Sequence, residues 1–330
     1  MTILALDPDR ASPWHAGERE AQERAGVREM MEGIGARVLR PYMPEQHRDF
    51  FSRLPFLVVG SVDQAGQPWA SVLAGAPGFV SSPDPQHLRI AAAPLAGDPL
   101  AHNLRPDMAV GLLGIEPHTR RRNRMNGLVE QVEEAAFSVR VVQSFGNCPK
   151  YIQARQPAYL GDMRRQTGAL VRDTRLDARG REMLEQADTF FIASAFPGAG
   201  TGSGRNGGVD VSHRGGRPGF VRVDADGTLT VPDFNGNQFF NTIGNLLVNP
   251  RAGLLLIDFE AGDLLYLAVD AQVVWDSPEV EAFEGAQRLL RFKVREMQRS
   301  EGVLPLHFGG ATESPFLANT GTWAEARPGA

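Results

Sequence analysis

The densest run of polar and charged side chains lies at Asp210–Pro218, which reads Asp-Val-Ser-His-Arg-Gly-Gly-Arg-Pro. Ser212, His213 and Arg214 can donate hydrogen bonds to the carbonyl oxygens of a planar ring, and the adjacent glycines allow such a ring to approach the backbone. His213 is also the candidate catalytic residue, because imidazole exchanges protons near neutral pH. The same residues equally fit a polar hairpin in which Gly-Gly-Arg-Pro forms the turn.

A second polar segment, from Asp233 to Asn245, leads from a predicted strand into a short predicted helix. The start of a helix has unpaired backbone N–H groups and a partial positive charge, and Asn237, Asn241 and Thr242 add neutral donors. Together with Asp233, these residues form a candidate site for a phosphomonoester. Ordinary capping of the helix by Asn or Thr explains them equally well.

Basic residues concentrate in the run Arg120-Arg-Arg-Asn-Arg. On an extended strand Arg120, Arg122 and Arg124 share one face, and their guanidinium groups match the oxygen atoms of a phosphate in bidentate geometry. The alternative is a solvated surface or an edge strand that is protected by charge.

The segment Gly146–Tyr151 supplies groups of a different kind. Asn147, Lys150 and Tyr151 offer an amide, an ammonium group and a stacking ring to a ligand held mainly by the second half of the chain. Cys148 is the one cysteine of the sequence, which excludes a disulfide within the chain and a cluster of thiolates. A single cysteine is typical of a small buried residue rather than of a redox centre.

Length and composition exclude several classes of protein. The 330 residues are 42% apolar and 22% charged, which indicates a folded chain of roughly two domains. A net charge of −5 gives no general electrostatic reason to bind nucleic acid or an anionic membrane. The sequence also lacks an apolar stretch of membrane-spanning length, a signal-peptide pattern and histidine pairs at metal-binding spacing. We therefore expect a cytoplasmic protein with no nucleic-acid, membrane or metal site.

Periodicity divides the chain into helical and β regions. Residues 16–40 predict one amphipathic helix, and residues 45–53 predict a second, short helix. Short apolar runs separated by Gly, Pro, Asp and Ser follow from residue 56. Residues 157–186 are polar and Arg-rich and predict a helical connector, and Pro278–Phe292 predicts a further helix. The predicted division is an N-terminal helical segment at 1–55, a first barrel at 56–156, a connector at 157–186, a second barrel with a C-terminal helix at 187–300 and a tail at 301–330.

The two β regions repeat one another in order. Ser71 through Pro-Gly-Phe-Val matches Ser212 through Pro-Gly-Phe-Val, and Gly111-Leu-Leu-Gly-Ile-Glu matches Gly253-Leu-Leu-Leu-Ile-Asp, so the offsets are 141 and 142. This near-constant offset predicts a duplicated barrel whose two copies form a pseudo-dimer within one chain.

The first strand of each repeat has a different offset. Aligning Phe56 with Phe190 gives an offset of 134, which places a seven-residue insertion within Gly198–Gly208. This loop also contains a Gly-x-Gly-x-x-Gly match at Gly202–Gly207, but no helix pattern follows it, so we interpret it as a flexible loop rather than a dinucleotide site.

Each repeat has a strand of the Phe-Leu-Val-Val-Gly-Ser-Val type, a polar turn, two further strands, a short helix that ends in Asn-Leu, and a buried strand. This order resembles the FMN-binding split barrel of the pyridoxamine 5′-phosphate oxidase-like superfamily. Four longer segments are similar to a bacterial subfamily of flavin-nucleotide-binding proteins: Trp14–Glu20, His118–Gly127, Gln143–Ile152 and Ser314–Trp323.

The resemblance implies a mainly β protein with flanking helices, built from tandem split barrels that bind FMN at their interface. In that superfamily a basic pair at the start of the short helix holds the FMN phosphate. The equivalent positions here are Pro99 and Leu100 in the first repeat and Asn241 and Thr242 in the second. The arginine run is therefore the candidate source of the missing positive charge.

The resemblance also implies an FMN-dependent oxidoreductase that passes a hydride or electrons to a small acceptor. Two alternatives remain open. Some relatives continue into a ferredoxin-reductase-like module after the last of the four segments, which suggests a non-catalytic flavin-binding or electron-carrying module that works with a separate reductase. Others bind haem, for which His213 would be the axial candidate. Further pairing of the pseudo-dimer into a homodimer is a possibility.

Overall fold

The computed structural model describes residues 12–161, 168–197 and 207–326. Its helices are α1 (Ala16–Arg24), α2 (Arg28–Val38), α3 (Glu45–Ser52), α4 (Leu100–Asn103), α5 (Ala178–Gln186), α6 (Asn241–Val248) and α7 (Pro278–Ala282). The strands of the first half are β1 (Phe56–Val62), β2 (Pro68–Ala74), β3 (Val80–Asp84), β4 (His87–Ile90), β5 (Ala109–Glu116), β6 (Arg121–Glu133) and β7 (Ala136–Asn147). The later strands are β8 (Pro157–Tyr159), β9 (Leu170–Asp173), β10 (Thr189–Ala195), β11 (Val209–Gly215), β12 (Arg222–Val223), β13 (Leu229–Phe234), β14 (Arg251–Ile257), β15 (Leu264–Val274), β16 (Ala286–Ser300) and β17 (Leu306–Phe308).

Two antiparallel sheets with the same strand order make up most of the protein. The first has the order β2-β1-β5-β6-β7-β4-β3, and the second has the order β11-β10-β14-β15-β16-β13-β12, with β9 added on β16. Each strand of the first sheet thus has a counterpart at the same place in the second. The chain is mainly β and consists of tandem duplicated split barrels that form a pseudo-dimer, as predicted.

The structure corrects the alignment of the first strands. Val58 pairs with Leu113, and Phe191 pairs with Leu255, so β1 corresponds to β10 with an offset of 133 rather than 134. A shift of one residue would place every side chain of the strand on the wrong face of the sheet. The predicted insertion at Gly198–Gly208 and the glycine motif at Gly202–Gly207 lie outside the described residues, apart from Gly207 and Gly208.

Three helical predictions were wrong in extent. The predicted helix Pro278–Phe292 ends at Ala282, because Ala286–Ser300 is a strand held between β13 and β15, and this long-range pairing overrides local helix propensity. Within 157–161 and 168–186, the described parts of the connector, α5 is the one α-helix, and the strands β8 and β9 are also present. Residues 16–40 form two helices, because Gly26 has a left-handed conformation (φ 69°) between them.

The described part of the C-terminal tail packs against the body of the protein. β17 pairs with β8, and Trp323 donates a hydrogen bond from Nε1 to the carbonyl of Phe220 at 2.9 Å. Over the described ranges, no helix has both the length and the apolar character needed to cross a bilayer.

The largest apolar clusters of the described residues are one core in each half and a third core between the halves. The core between the halves combines residues of both repeats, including Val58, Trp69, Phe191 and Tyr266. Residue Gly111 of β5 lies against the backbone of β11, and its counterpart Gly253 of β14 lies against the backbone at the start of β2. The two contacts are related by the internal pseudo-symmetry.

The N-terminal helices connect the two halves. Helix α3 packs on β3 of the first half, whereas α1 packs on α6 of the second half, with Gly17 close to the carbonyl of Gly244. Trp14 packs beside Phe239 at a ring-centroid distance of 5.1 Å. This arrangement brings the side chains of α1 to the start of α6.

We predict that a methyl group at either glycine of the interface destabilises the fold. A Cβ at Gly111 would lie 2.5 Å from the carbonyl oxygen of Val209, and one at Gly253 would lie 2.3 Å from the carbonyl oxygen of Pro68. Because backbone cannot move aside as a side chain can, Gly111→Ala and Gly253→Ala should each lower the free energy of unfolding by about 1–3 kcal/mol in denaturant titrations.

The control is Gly33→Ala on α2, where a Cβ would meet no described atom within 4 Å. This substitution should leave stability unchanged or raise it by up to about 1 kcal/mol. Equal effects of all three substitutions would contradict the interpretation.

Candidate functional site

A cleft of about 520 Å³ opens where β6 of the first half meets β11, β13 and α6 of the second half. Of the predicted site residues, the cleft is lined by Arg122, Arg124, Asn147, Ser212, His213, Arg214, Asp233, Asn237, Asn241 and Thr242. Its wall also includes residues that sequence reasoning missed: Arg24, Phe240, Trp275 and Arg288. The structure thus brings the polar segments of both repeats into one site.

Arg124 joins the two halves at the base of the cleft. Its Nη1 donates to Asp210 Oδ1 at 3.0 Å and to Asn241 Oδ1 at 2.9 Å, and its Nη2 donates to Ser212 Oγ. The side chain is 4% exposed, and within the described part of the chain its Nε has no hydrogen-bond acceptor. Burial of a charge at this position requires the Asp210 carboxylate.

Arg122 lies on the same face of β6, two residues earlier. Its Nε donates to the Cys148 carbonyl at 2.7 Å, and its Nη1 lies 3.4 Å from the His213 carbonyl. Burial lowers the pKa of the Arg122 guanidinium, and the nearby Arg124 and Arg214 act in the same direction. An arginine remains charged despite such a shift, and no carboxylate of the described residues pairs with this one. Arg122 therefore adds positive charge that a bound anion could neutralise.

Two further arginines share one carboxylate on the opposite wall. Asp233 is 3% exposed and accepts hydrogen bonds from Arg214 Nη1 and Arg288 Nη1. The Arg288 guanidinium also lies over the rings of Trp275 and Phe240, at 4.7 Å and 4.9 Å from their centroids. This wall therefore offers both cations and flat aromatic surfaces.

Helix α6 begins at the cleft. Phe240 precedes it in a left-handed conformation (φ 62°), and its first residues, Asn241 and Thr242, line the cleft. Thr242 Oγ1 donates to Ser212 Oγ at 2.9 Å. The unpaired N–H groups of the first helical turn and its partial positive charge thus lie beside Ser212 and Arg124.

His213 does not present its ring as predicted. Alternation along β11 directs Ser212 and Arg214 toward the cleft and His213 to the opposite face, where its ring packs edge-on against Phe191 at 5.7 Å. Burial lowers the pKa of His213 well below its ordinary value, and Arg122 reinforces the shift. The imidazole is therefore neutral, so it has no proton to give as a general acid at pH 7. Its packing against Phe191, on the face of β11 away from the cleft, does not suit an axial haem ligand in the cleft.

Three other predicted residues lie outside the lining. Arg120 has a left-handed conformation (φ 57°) after a short 3-10 turn, so it is not on β6, and its Nε donates to the Ile152 carbonyl at 3.0 Å. Lys150 and Tyr151 reach the Asn235 carbonyl at the rim, at 3.4 Å and 3.1 Å. The predicted sharing of one face by three arginines therefore holds for Arg122 and Arg124 alone.

Asn147 and Asn237 meet across the boundary between the halves. Nδ2 of Asn237 donates to Oδ1 of Asn147 at 3.3 Å, and both residues line the cleft.

Arg288 was not predicted as a site residue because it lies in the segment Pro278–Phe292, which the sequence pattern assigned to a helix. The strand pairing of Asp233 with Arg288 is what places this arginine in the site.

Glu18 of α1 supports the start of α6 from behind the cleft. Its Oε1 accepts a hydrogen bond from Asn241 Nδ2 at 2.5 Å, and its Oε2 accepts one from the His15 backbone N–H at 2.9 Å. Burial raises the pKa of Glu18 to about 8, and the charge of Asp210 adds to the shift. The neutral form predominates at pH 7, so Glu18 does not cancel the charge of Arg124.

The raised pKa of Glu18 predicts a loss of stability at alkaline pH. Because the folded-state pKa of about 8 exceeds the ordinary value of 4.5, the fold favours the protonated form. The stability from this effect is fully present below pH 4.5 and is lost as the pH rises through 8.

Between pH 5 and pH 9, the free energy of unfolding of the wild type should fall by about 2–4 kcal/mol relative to Glu18→Gln, measured by denaturant titration. Parallel pH profiles of the two proteins would show that Glu18 ionises normally in the fold.

Comparison with known proteins finds a family model that matches part of the chain. Residues 43–164 match a family model described as pyridoxamine 5′-phosphate oxidase, and no curated protein matches the chain. A putative pyridoxamine 5′-phosphate oxidase from Lactobacillus delbrueckii is 15% identical over 32% of this chain and 95% of that chain, with a TM-score of 0.26.

Two further solved structures are similar in part. HutZ, the heme storage protein from Vibrio cholerae, is 17% identical over 39% of this chain and 97% of that chain, with a TM-score of 0.27. A FAD-binding protein from Mesorhizobium loti is 13% identical over 40% of this chain and 97% of that chain, with a TM-score of 0.26. The family match thus covers the first barrel, and the second barrel repeats the strand order of the first.

Proposed function

We propose that the chain binds FMN in the cleft between its halves and works in the cytoplasm as an FMN-dependent oxidoreductase. The observation that carries the proposal is the concentration of guanidinium groups in the cleft beside the start of α6. The lining includes Arg122, Arg124, Arg214 and Arg288, whereas among the described residues their ion pairs involve only Asp210 and Asp233. The cleft therefore has an excess of positive charge, which an anionic ligand would compensate.

The base of the cleft fits a phosphomonoester. Arg124, Ser212 and Thr242 meet there at the first turn of α6, and Arg122 adds charge that is not paired with a carboxylate of the described residues. The family's basic pair at the helix start is replaced here by Asn241 and Thr242, so the cation comes from β6 of the other half instead. A phosphate bound here would have both charge-assisted and backbone hydrogen bonds.

The remainder of the cleft fits a planar ring. Its volume of about 520 Å³ lies within the usual range for small-molecule sites of about 300–1,000 Å³. Phe240 and Trp275 offer flat apolar surfaces, and a Cβ at Gly236 would meet no described atom within 4 Å, so the backbone there is open. Arg122 and Arg214 would stabilise negative charge on an electron-rich ring.

When bound, FMN would supply hydride and electron transfer, whereas the chain's own residues bind, orient and surround it. Acid–base chemistry is not suggested by the lining, since the ring of His213 faces the other side of β11. This arrangement also suits the second candidate function, a non-catalytic electron carrier that is served by a separate reductase. The buried position of the His213 ring does not favour the haem alternative.

Arg122 provides the sharpest test of ligand binding. Arg122→Gln should weaken FMN binding by about 10–100-fold, because it removes a half-buried charge that lines the cleft and is not paired with a carboxylate of the described residues. Arg120→Gln, in the same run but directed to the Ile152 carbonyl, should change the Kd by less than about twofold.

Fluorescence titration of FMN against the purified chain measures both constants. Equal weakening by the two substitutions, or the absence of FMN binding by the wild type, would contradict the proposal.

Steady-state oxidation of NADH or NADPH by the FMN-loaded chain separates the two functions. We expect turnover with a small acceptor or dioxygen in the absence of another protein. Reduction of the bound flavin only after a flavin reductase is added would instead identify an electron carrier.

A further inference from the structure

The central strands of the two barrels pair in the same register, so the cleft residues on β6 and β11 have counterparts in the other half. The helices follow the same relation. Asn103 of α4 donates a hydrogen bond from Nδ2 to Ser61 Oγ at 3.0 Å, and Asn245 of α6 donates the equivalent bond to Ser194 Oγ at 3.1 Å. The residues around α4 can therefore be compared, position by position, with those of the candidate site.

The counterpart region has lost the charges of the cleft. Three arginines of the cleft correspond to uncharged residues: Arg122 to Leu264, Arg124 to Tyr266 and Arg214 to Leu73. The hydroxyl of Ser212, in contrast, is retained as that of Ser71. Leu264 and Tyr266 are fully buried in the core between the halves.

A carboxylate of the chain itself occupies the polar centre of this region. Asp98 is 2% exposed, and its Oδ1 accepts hydrogen bonds from Ser71 Oγ at 2.5 Å and from the Leu100 backbone N–H at 2.8 Å. Its Oδ2 accepts one from Tyr266 Oη at 3.2 Å. Tyr266 is the counterpart of Arg124, so Asp98 is bound by the same positions that line the base of the cleft in the second half.

The region is also covered from outside. Ser300 at the end of β16 donates a hydrogen bond to the Ala96 carbonyl at 3.2 Å. A Cβ at Gly97 would lie 2.8 Å from Leu170 Cδ1 and from Ser300 Oγ, so the chain before Asp98 is packed tightly beneath β9 and β16. A ligand would have to displace both the carboxylate and this cover.

We propose that the chain binds one FMN rather than two, and that the Asp98 carboxylate permanently fills the anion position of the first half. The identity of the ligand rests on the proposed function, whereas the role of Asp98 rests on its own contacts. An internal anion satisfies the donors that an external phosphate satisfies in the other half. Duplication thus leaves one open site and one site that is closed by the chain itself.

The equivalent serines give a matched pair of variants for calorimetric titration of FMN into the full chain. We expect one FMN per chain, a Kd at least about fivefold weaker in Ser212→Ala, and a Kd within about twofold of the wild type in Ser71→Ala. Ser71→Ala should nevertheless have a lower Tm, because Asp98 loses a buried hydrogen bond.

Binding of two FMN molecules, or equal weakening by the two variants, would overturn the single-site proposal. Complete absence of FMN binding by the wild type would overturn the proposed function and the stoichiometry together, but not the role of Asp98.

A second experiment tests Asp98 without FMN. Asp98→Ala removes the internal carboxylate, so sodium formate should restore an acceptor to the donors of Ser71, Leu100 and Tyr266. We expect formate, compared with chloride at equal ionic strength, to raise the Tm of Asp98→Ala by about 2 °C or more and to leave the wild type unchanged. The effect should disappear in the double variant Ser71→Ala/Asp98→Ala.

Asp98→Asn is the variant to use if Asp98→Ala does not fold. It preserves side-chain size but presents an amide NH₂ to hydrogen-bond donors, and it should have a lower Tm than the wild type without a response to formate. A wild-type Tm in Asp98→Asn, or the absence of a formate effect in folded Asp98→Ala, would overturn the role of Asp98.

Discussion

The close approach of the two barrels is the constraint on which the candidate site depends. Gly111 and Gly253 bring the central strands of each half against the backbone of the other half. At this separation Arg124 of β6 reaches Asp210 of β11, and the buried ion pair forms across the boundary. A wider spacing would separate these two opposite charges, and a buried charge without its counter-charge is far less favourable than the buried pair. The interface and the site are therefore parts of one structural arrangement.

Charge is distributed unevenly over this nearly symmetric scaffold. In the cleft, Asp233 lies between Arg214 and Arg288, and Asp210 compensates Arg124. Arg122, in contrast, has no carboxylate partner among the described residues and contacts two carbonyl oxygens and the Cys148 sulfur. Burying guanidinium groups costs free energy that the fold recovers only in part. An anion from outside would complete the compensation and would stabilise the folded state by mass action.

Much of the fold was predictable from periodicity and from the repeat. Strand β1 was predicted with its observed bounds, and the match of Ser71 with Ser212 agrees with the pairing of the strands. The errors arose where local pattern and long-range pairing disagree. Residues 286–292 have a pattern compatible with a helix, but two neighbouring strands hold them extended. The wrong first-strand offset likewise came from matching Phe56 to Phe190, although the ladder pairs Val58 and Phe191 with equivalent partners.

Residue types and their spacing were enough to predict the duplication, the mainly β class and the polar segments that make up the site. The tertiary fold, in contrast, sets which side chains meet. It directed the His213 ring away from the cleft, moved Arg120 off the strand and brought Arg288 in through the pairing of β13 with β16. The reason is physical: the face of a side chain depends on register, and register is set by partners that lie far away in the chain.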